Sequence, residues 1–168
     1  MQNRGENRGR SDTPPKNILI LGVGNELLSD EGIGVAVSKK MVGMKLPAGV
    51  DVIEGGTEGF GLFNIIIESD FLIVIDSVKG GSKPGTIYRF NIKDIPNSPE
   101  MYKTSVHQIG ILDVLHLSEL LGKTPETTVI GIEPKEITPG MSLSSEISAK
   151  IHRVIKLIFE EIDKRLKV

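Results

Sequence analysis

No cysteine occurs anywhere in the 168 residues. Its absence removes disulfides, thiolate metal sites and cysteine nucleophiles, and it fits a reducing compartment, so a cytoplasmic location is expected. A charge excess of either sign is missing too. Lys and Arg number 20 against 22 for Asp and Glu, a formal net charge of −2, which gives no reason for adherence to nucleic acid or to an anionic membrane. No apolar run reaches the roughly 18 residues of a membrane span, and the opening MQNRGENRGRSDTPPK lacks the apolar stretch of a secretory signal. Neither a nucleic-acid partner nor membrane insertion is therefore expected. The familiar hydrolase signatures HExxH and GxSxG are also missing. In the glycine loop Gly22-Val23-Gly24-Asn25-Glu26-Leu27, a dinucleotide fingerprint would need glycine where Leu27 stands, and no Walker lysine follows. No organic cofactor is expected.

What is present fits one domain with a substantial core. Residues 1–16 are rich in Asn, Arg, Gly and Pro and have no apolar face, so ordering them would cost backbone entropy without return; a disordered tail is expected before a single domain over 17–168. Asn17 to Val23 and Phe71 to Asp76 are continuously apolar, the pattern of strands covered on both faces. Val50 to Glu54 and Thr128 to Glu133 read as shorter strands. Gly32 to Met44, Phe60 to Glu68, Val106 to Leu121 and Ser144 to Lys167 have helical spacing or length. The alternation predicts a three-layer α/β/α sandwich with a mixed, mostly parallel sheet of about five strands. Thr86 to Ile92 follows Asp76 after only KGGSKPG, too short for a crossover helix, so it is expected as an antiparallel edge strand.

Ligands of such sheets sit beyond the carboxyl ends of the strands, where crossovers diverge. A strand order beginning 2-1-3 would bring together Glu31, after the first strand, and Asp76, at the end of the third. Asp30 reads as the helix N-cap, which leaves Glu31 free to face the crevice. Ser105-Val-His-Gln108 has the S-x-x-Q form of a capping box. His107 would then lie in a first helical turn, where the positive helix end opposes protonation and leaves a lone pair for a metal. Two hard carboxylates with one imidazole suit a divalent cation. Singly, each has a plainer reading: Asp76 as a loop cap, Glu31 as a first-turn acid, His107 as a helix-surface residue. His116 and His152 read as structural, Glu133 and Glu136 as solvated loop acids or groove lining, Leu27, Leu28 and Phe60 as core or a bed for a substrate, and EEIDKRLK as a solvated helix face.

The motifs GVGNELLSDEGIG, EGGTEG at 54–59, IVIDSV at 73–78, Pro84-Gly85-Thr86, SVHQIGILDVL at 105–115 and GIEPKEITPGMSLS at 131–144 resemble, in order, those of the hydrogenase maturation proteases. The resemblance spans nearly everything from Ile18 to the last helix. It maps the family's metal-contacting acid, strand-end aspartate and HQ histidine onto Glu31, Asp76 and His107; some members carry aspartate at the first of these. Glu54 stands where the family has the aspartate of D-G-G-T. What the resemblance implies is an aspartic-type endopeptidase that removes a short C-terminal extension from the precursor of a nickel-iron hydrogenase large subunit. The cut follows a His or Arg just beyond the nickel-binding cysteines, and the nickel is supplied by the substrate. Two rival readings stay open at this point: a small-molecule or nucleotide-binding module whose glycine loop holds an anion, and a generic metallopeptidase with its own zinc.

Overall fold

A computed structural model describes residues 17–94 and 106–167. Strands β1 (Ile18–Val23), β2 (Val50–Gly56), β3 (Phe71–Ser77), β4 (Ile87–Asn91) and β5 (Glu126–Ile132) form one sheet in the order β2-β1-β3-β5-β4. β1 runs parallel to β2 and β3, and β3 runs parallel to β5. β4 is antiparallel to β5 at the edge, as the short turn before it demands. Helices α1 (Ile33–Val42), α2 (Phe63–Glu68), α3 (Val106–Leu120), α4 (Ser145–Ser148) and α5 (Ile151–Leu166) flank the sheet.

Alternation along the strands divides the core in two. Ile18, Ile20, Ile73, Ile75, Ile130 and Ile132 meet α1, α4 and α5 on one face. Leu19, Leu21, Leu72, Val74 and Val129 meet α2 and α3 on the other. The central strands are therefore apolar on both sides, which is why β1 and β3 read as continuous runs rather than alternating ones. Each fully buried Ile or Leu contributes about 1.5–3 kcal/mol, so these two strands anchor the molecule. Helices on both faces make the expected three layers.

Some expectations are corrected. The first helical segment begins not at Gly32 but with a 3-10 turn over Ser29–Gly32, and α1 follows it. A second 3-10 turn over Phe60–Leu62 leads into α2. Ser144 to Lys167 is two helices. Lys150 N–H bonds to Ile147 C=O at 2.9 Å, an i→i−3 bond that tightens the chain between α4 and α5, while Ala149 and Lys150 stay in the right-handed helical region. The EEIDKRLK face is not all solvated, because Glu161 and Arg165 are buried. Arg165 Nε donates to Glu161 Oε1 at 3.0 Å, its Nη1 donates to Glu126, and its guanidinium lies 5.0 Å from the centre of the Phe71 ring. Residues 1–16 and the Ser105 cap lie outside the described residues. Among the described residues no helix is long and apolar enough to cross a membrane.

Candidate active site

The order β2-β1-β3 creates a switch point between β1 and β3, since α1 leaves β1 on one face and α2 reaches β3 from the other. The last β1–β3 pair is Gly22 with Ile75, so Asp76 stands one residue beyond it at the carboxyl edge. Glycines let the acid-bearing turn approach the same edge. A Cβ at Gly34 would stand 2.2 Å from the carbonyl oxygens of both Ile75 and Val23, and one at Gly24 would stand 1.9 Å from the carbonyl oxygen of Glu31. Gly24 also has φ +133, a conformation that L side chains rarely adopt. Backbone packed this closely holds Glu31 beside the ends of β1 and β3.

Both carboxylates are buried, Glu31 at 7% and Asp76 at 1% exposure. Asp76 Oδ1 accepts the Ser77 N–H at 2.7 Å. Glu31 Oε2 is buried with no hydrogen-bond partner among the described residues. His107 opens α3, as expected, but its side chain lies outside the described ones. Gly59 and Gly110 bring the first turns of α3 against the loop after β2, since a Cβ at Gly59 would stand 3.0 Å from Gly110 Cα. Among the described residues no three His, Asp or Glu side chains gather as a metal site. Two of the three expected ligands belong to that described set.

Asp30 is not the expected N-cap. Ser29 takes φ 50, so Leu28 precedes the 3-10 turn and Gly32 caps α1, neither with a side-chain bond. The Asp30 carboxylate instead accepts the N–H groups of Lys135 and Glu136 at 3.0 Å, the N–H of Ser144 at 2.7 Å and the Ser144 hydroxyl at 2.9 Å. It ties the turn to the loop between β5 and α4. Ser29 reinforces that contact by donating its N–H to Gly140 O at 2.8 Å and its hydroxyl to Thr138 O at 2.9 Å.

Glu133 is not solvated. It is buried beyond β5 and accepts the Tyr88 hydroxyl and the N–H groups of Gly80 (2.7 Å) and Ser82 (3.3 Å). Burial alone would raise its pKa, but the Tyr88 hydroxyl and the backbone N–H groups of Gly80, Ser82 and Gly81 together bring it below the ordinary value. Glu133 thereby fixes the loop that follows Asp76. Sequence reading missed the roles of Asp30 and Glu133, and the nearest signal was their place inside the two longest motifs. Glu136 is exposed, as are His116 and His152. Glu54 is exposed on β2 opposite Gly22. Leu27 and Phe60 are not core, being 61% and 59% exposed, and Leu28 is half-buried.

Most N–H groups of the glycine loop and of the turn after it are already used within the protein. The N–H groups of Gly24 and of Leu27 through Glu31 already donate within the protein, to Gly56 O, Asn25 Oδ1, Asn25 O, Gly140 O, Glu136 O and Leu28 O in turn. Those six groups are not left for a phosphate. The glycines of the loop serve close packing.

The family model described as "HycI: Hydrogenase maturation protease" matches residues 35–161. The hydrogenase expression/formation protein HupD of Rhodobacter capsulatus is 36% identical over 151 residues, 88% of this chain and 72% of its own length. The hydrogenase 2 maturation protease of Escherichia coli strain K12 is 33% identical over 144 residues, 84% of this chain and 87% of its own. Among solved structures, the hydrogenase maturating endopeptidase HybD from E. coli superposes with a TM-score of 0.82 at 30% identity, covering 89% of this chain and 93% of that one. A switch point lined by acids, on a sheet shared with these enzymes and over a family match of such length, makes the chain a member of the hydrogenase maturation proteases, the endopeptidases that process the C-terminus of the large subunit of nickel-iron hydrogenases.

Proposed function

We propose that this endopeptidase acts in the cytoplasm on the nickel-loaded precursor of a nickel-iron hydrogenase large subunit, and that Glu31, Asp76 and His107 contact the nickel carried by that substrate. The observation that supports this reading is the Glu31 carboxylate, buried at the switch point with an oxygen that has no hydrogen-bond partner among the described residues. A buried polar atom without a partner costs stability, and an incoming cation would satisfy it. Asp76, buried at the neighbouring strand end, supplies a second carboxylate. Carboxylate and imidazole donors suit a divalent first-row ion. Three protein ligands leave coordination positions for the substrate, whose nickel would polarise the scissile carbonyl or activate the attacking water.

The test incubates the enzyme with candidate nickel-loaded precursors and follows loss of the C-terminal extension by mass. One of them is expected to lose a short C-terminal fragment in a single cut. Full-length product from every nickel-loaded candidate would overturn the reading.

A further inference from the structure

The Ser29–Gly32 turn does not hold its shape alone. Ser29 sits at φ 50, a left-handed conformation that strains a residue other than glycine. It persists because the chain from Leu27 to Asp30 is bonded to a loop more than a hundred residues away in sequence. Leu28 pairs with Gly140 as an isolated parallel bridge, Gly140 N–H donates to Leu27 O at 2.9 Å, and Asp30 N–H donates to Glu136 O at 3.3 Å. The Asp30 side chain is wholly buried, and its two oxygens receive four donors from Lys135, Glu136 and Ser144. Glu31 is the next residue, and among the described residues its Oε2 has no hydrogen-bond partner.

We infer that Asp30 is a positioning residue, which latches the Ser29–Gly32 turn onto the loop between β5 and α4 and so fixes where the Glu31 carboxylate stands. This rests on the reading of Glu31 as the contact to substrate nickel. The chemistry of the latch is specific to a carboxylate. Only an acceptor with two oxygens can take three backbone N–H groups and a hydroxyl at once; an amide would turn a donor toward donors. The loop that Asp30 grips also carries Met141, 82% exposed, beside the bridge to Leu28. A precursor lying on that loop therefore touches the element that orients Glu31.

The test is a double-mutant cycle on precursor processing, run well below the melting midpoint of each variant so that the rate refers to folded enzyme. Asp30→Asn is expected to lower kcat on the order of tenfold to a hundredfold with a smaller change in KM, as a displaced reactive group does. In a Glu31→Gln background, itself slow, the same substitution is expected to change the rate by less than about twofold, because the group it positions is already gone. Ser144→Ala, which removes one of the four donors, is the milder companion should Asp30→Asn fail to fold. Its loss should be smaller and should likewise vanish in the Glu31→Gln background. Equal losses in both backgrounds would show that the latch acts on general stability and would overturn the inference while leaving Glu31 in place. A parental rate for Glu31→Gln alone would overturn both the inference and the reading beneath it.

Discussion

A buried carboxylate oxygen without a hydrogen-bond partner forfeits solvation and gains nothing in return, which costs about 1–3 kcal/mol. Glu31 Oε2 is in that position among the described residues. Replacing Glu31 with alanine is therefore expected to hold or raise the melting temperature while greatly reducing processing, a combination typical of a residue kept for function. Asp76→Ala and His107→Ala are expected to stay folded with a similar loss of processing. Thermal melts and precursor assays on the three variants check this, and parental processing by any of them removes that residue from the site. Gly24 gives the opposite case. Valine there must accept φ +133 and place a Cβ 1.9 Å from Glu31 O, so both the melting temperature and the activity should fall. At Gly55 the added Cβ meets the Leu21 and Leu62 side-chain ends at 2.6 and 3.0 Å, and side-chain ends can shift. Gly55→Val should be the milder lesion. Parental melting and activity in Gly24→Val would show the close approach to be incidental.

The elements around the site are held by carboxylates outside it. Glu133 grips the loop after β3, and Asp30 grips the loop after β5. Glu133 gives a pH signature whose sign follows from its shift. Its folded pKa lies below the ordinary glutamate value of 4.5, so the folded state binds fewer protons than the unfolded state in that range. The stability it contributes is fully present above about pH 4.5 and is lost as the pH falls through the folded value. Glu133→Gln should therefore lower the melting midpoint near neutrality and flatten its decline on acidification; an unchanged pH slope would remove Glu133 from the account. At this scale the sequence was legible where a cause is local. Runs apolar on both faces marked β1 and β3, and a turn too short for a crossover made β4 antiparallel. The break between α4 and α5 left no trace, because apolar spacing continues through it and its residues stay helical. Glu161 and Arg165, an i,i+4 pair, look like a surface pair until β5 and Phe71 are placed beside them. The partners of Asp30 lie 105 to 114 residues away, and no local pattern announces them. Glu31 and Asp76 could be paired beforehand only because strand order and switch point are rules of the fold class.

Across the whole molecule, the sheet brings two acids to one crevice from separate crossovers and places the histidine-bearing helix α3 on the face opposite α1. The three proposed ligands, Glu31, Asp76 and His107, would be a sparse set for a resident metal. Enzymes that keep their own zinc support three ligands with an outer shell of hydrogen bonds that orients each of them, and that support raises affinity by about tenfold to a hundredfold. Glu31 Oε2 has no such outer-shell bond among the described residues. The isolated enzyme should therefore hold a divalent ion weakly. The precursor, in contrast, should deliver nickel already fixed by its own thiolates, with enzyme and substrate sharing the coordination sphere of one ion. Cleavage should then depend on the metal content of the substrate rather than that of the enzyme. Elemental analysis of the protein as purified should find no stoichiometric metal. Nickel-loaded precursor should shorten on a gel, whereas metal-free precursor should remain full length even with enzyme in excess. Prior treatment of the enzyme with a chelator, followed by its removal, should leave the rate unchanged. Tightly held zinc together with equal cleavage of both precursors would overturn the shared-metal mechanism and make this a self-sufficient metallopeptidase.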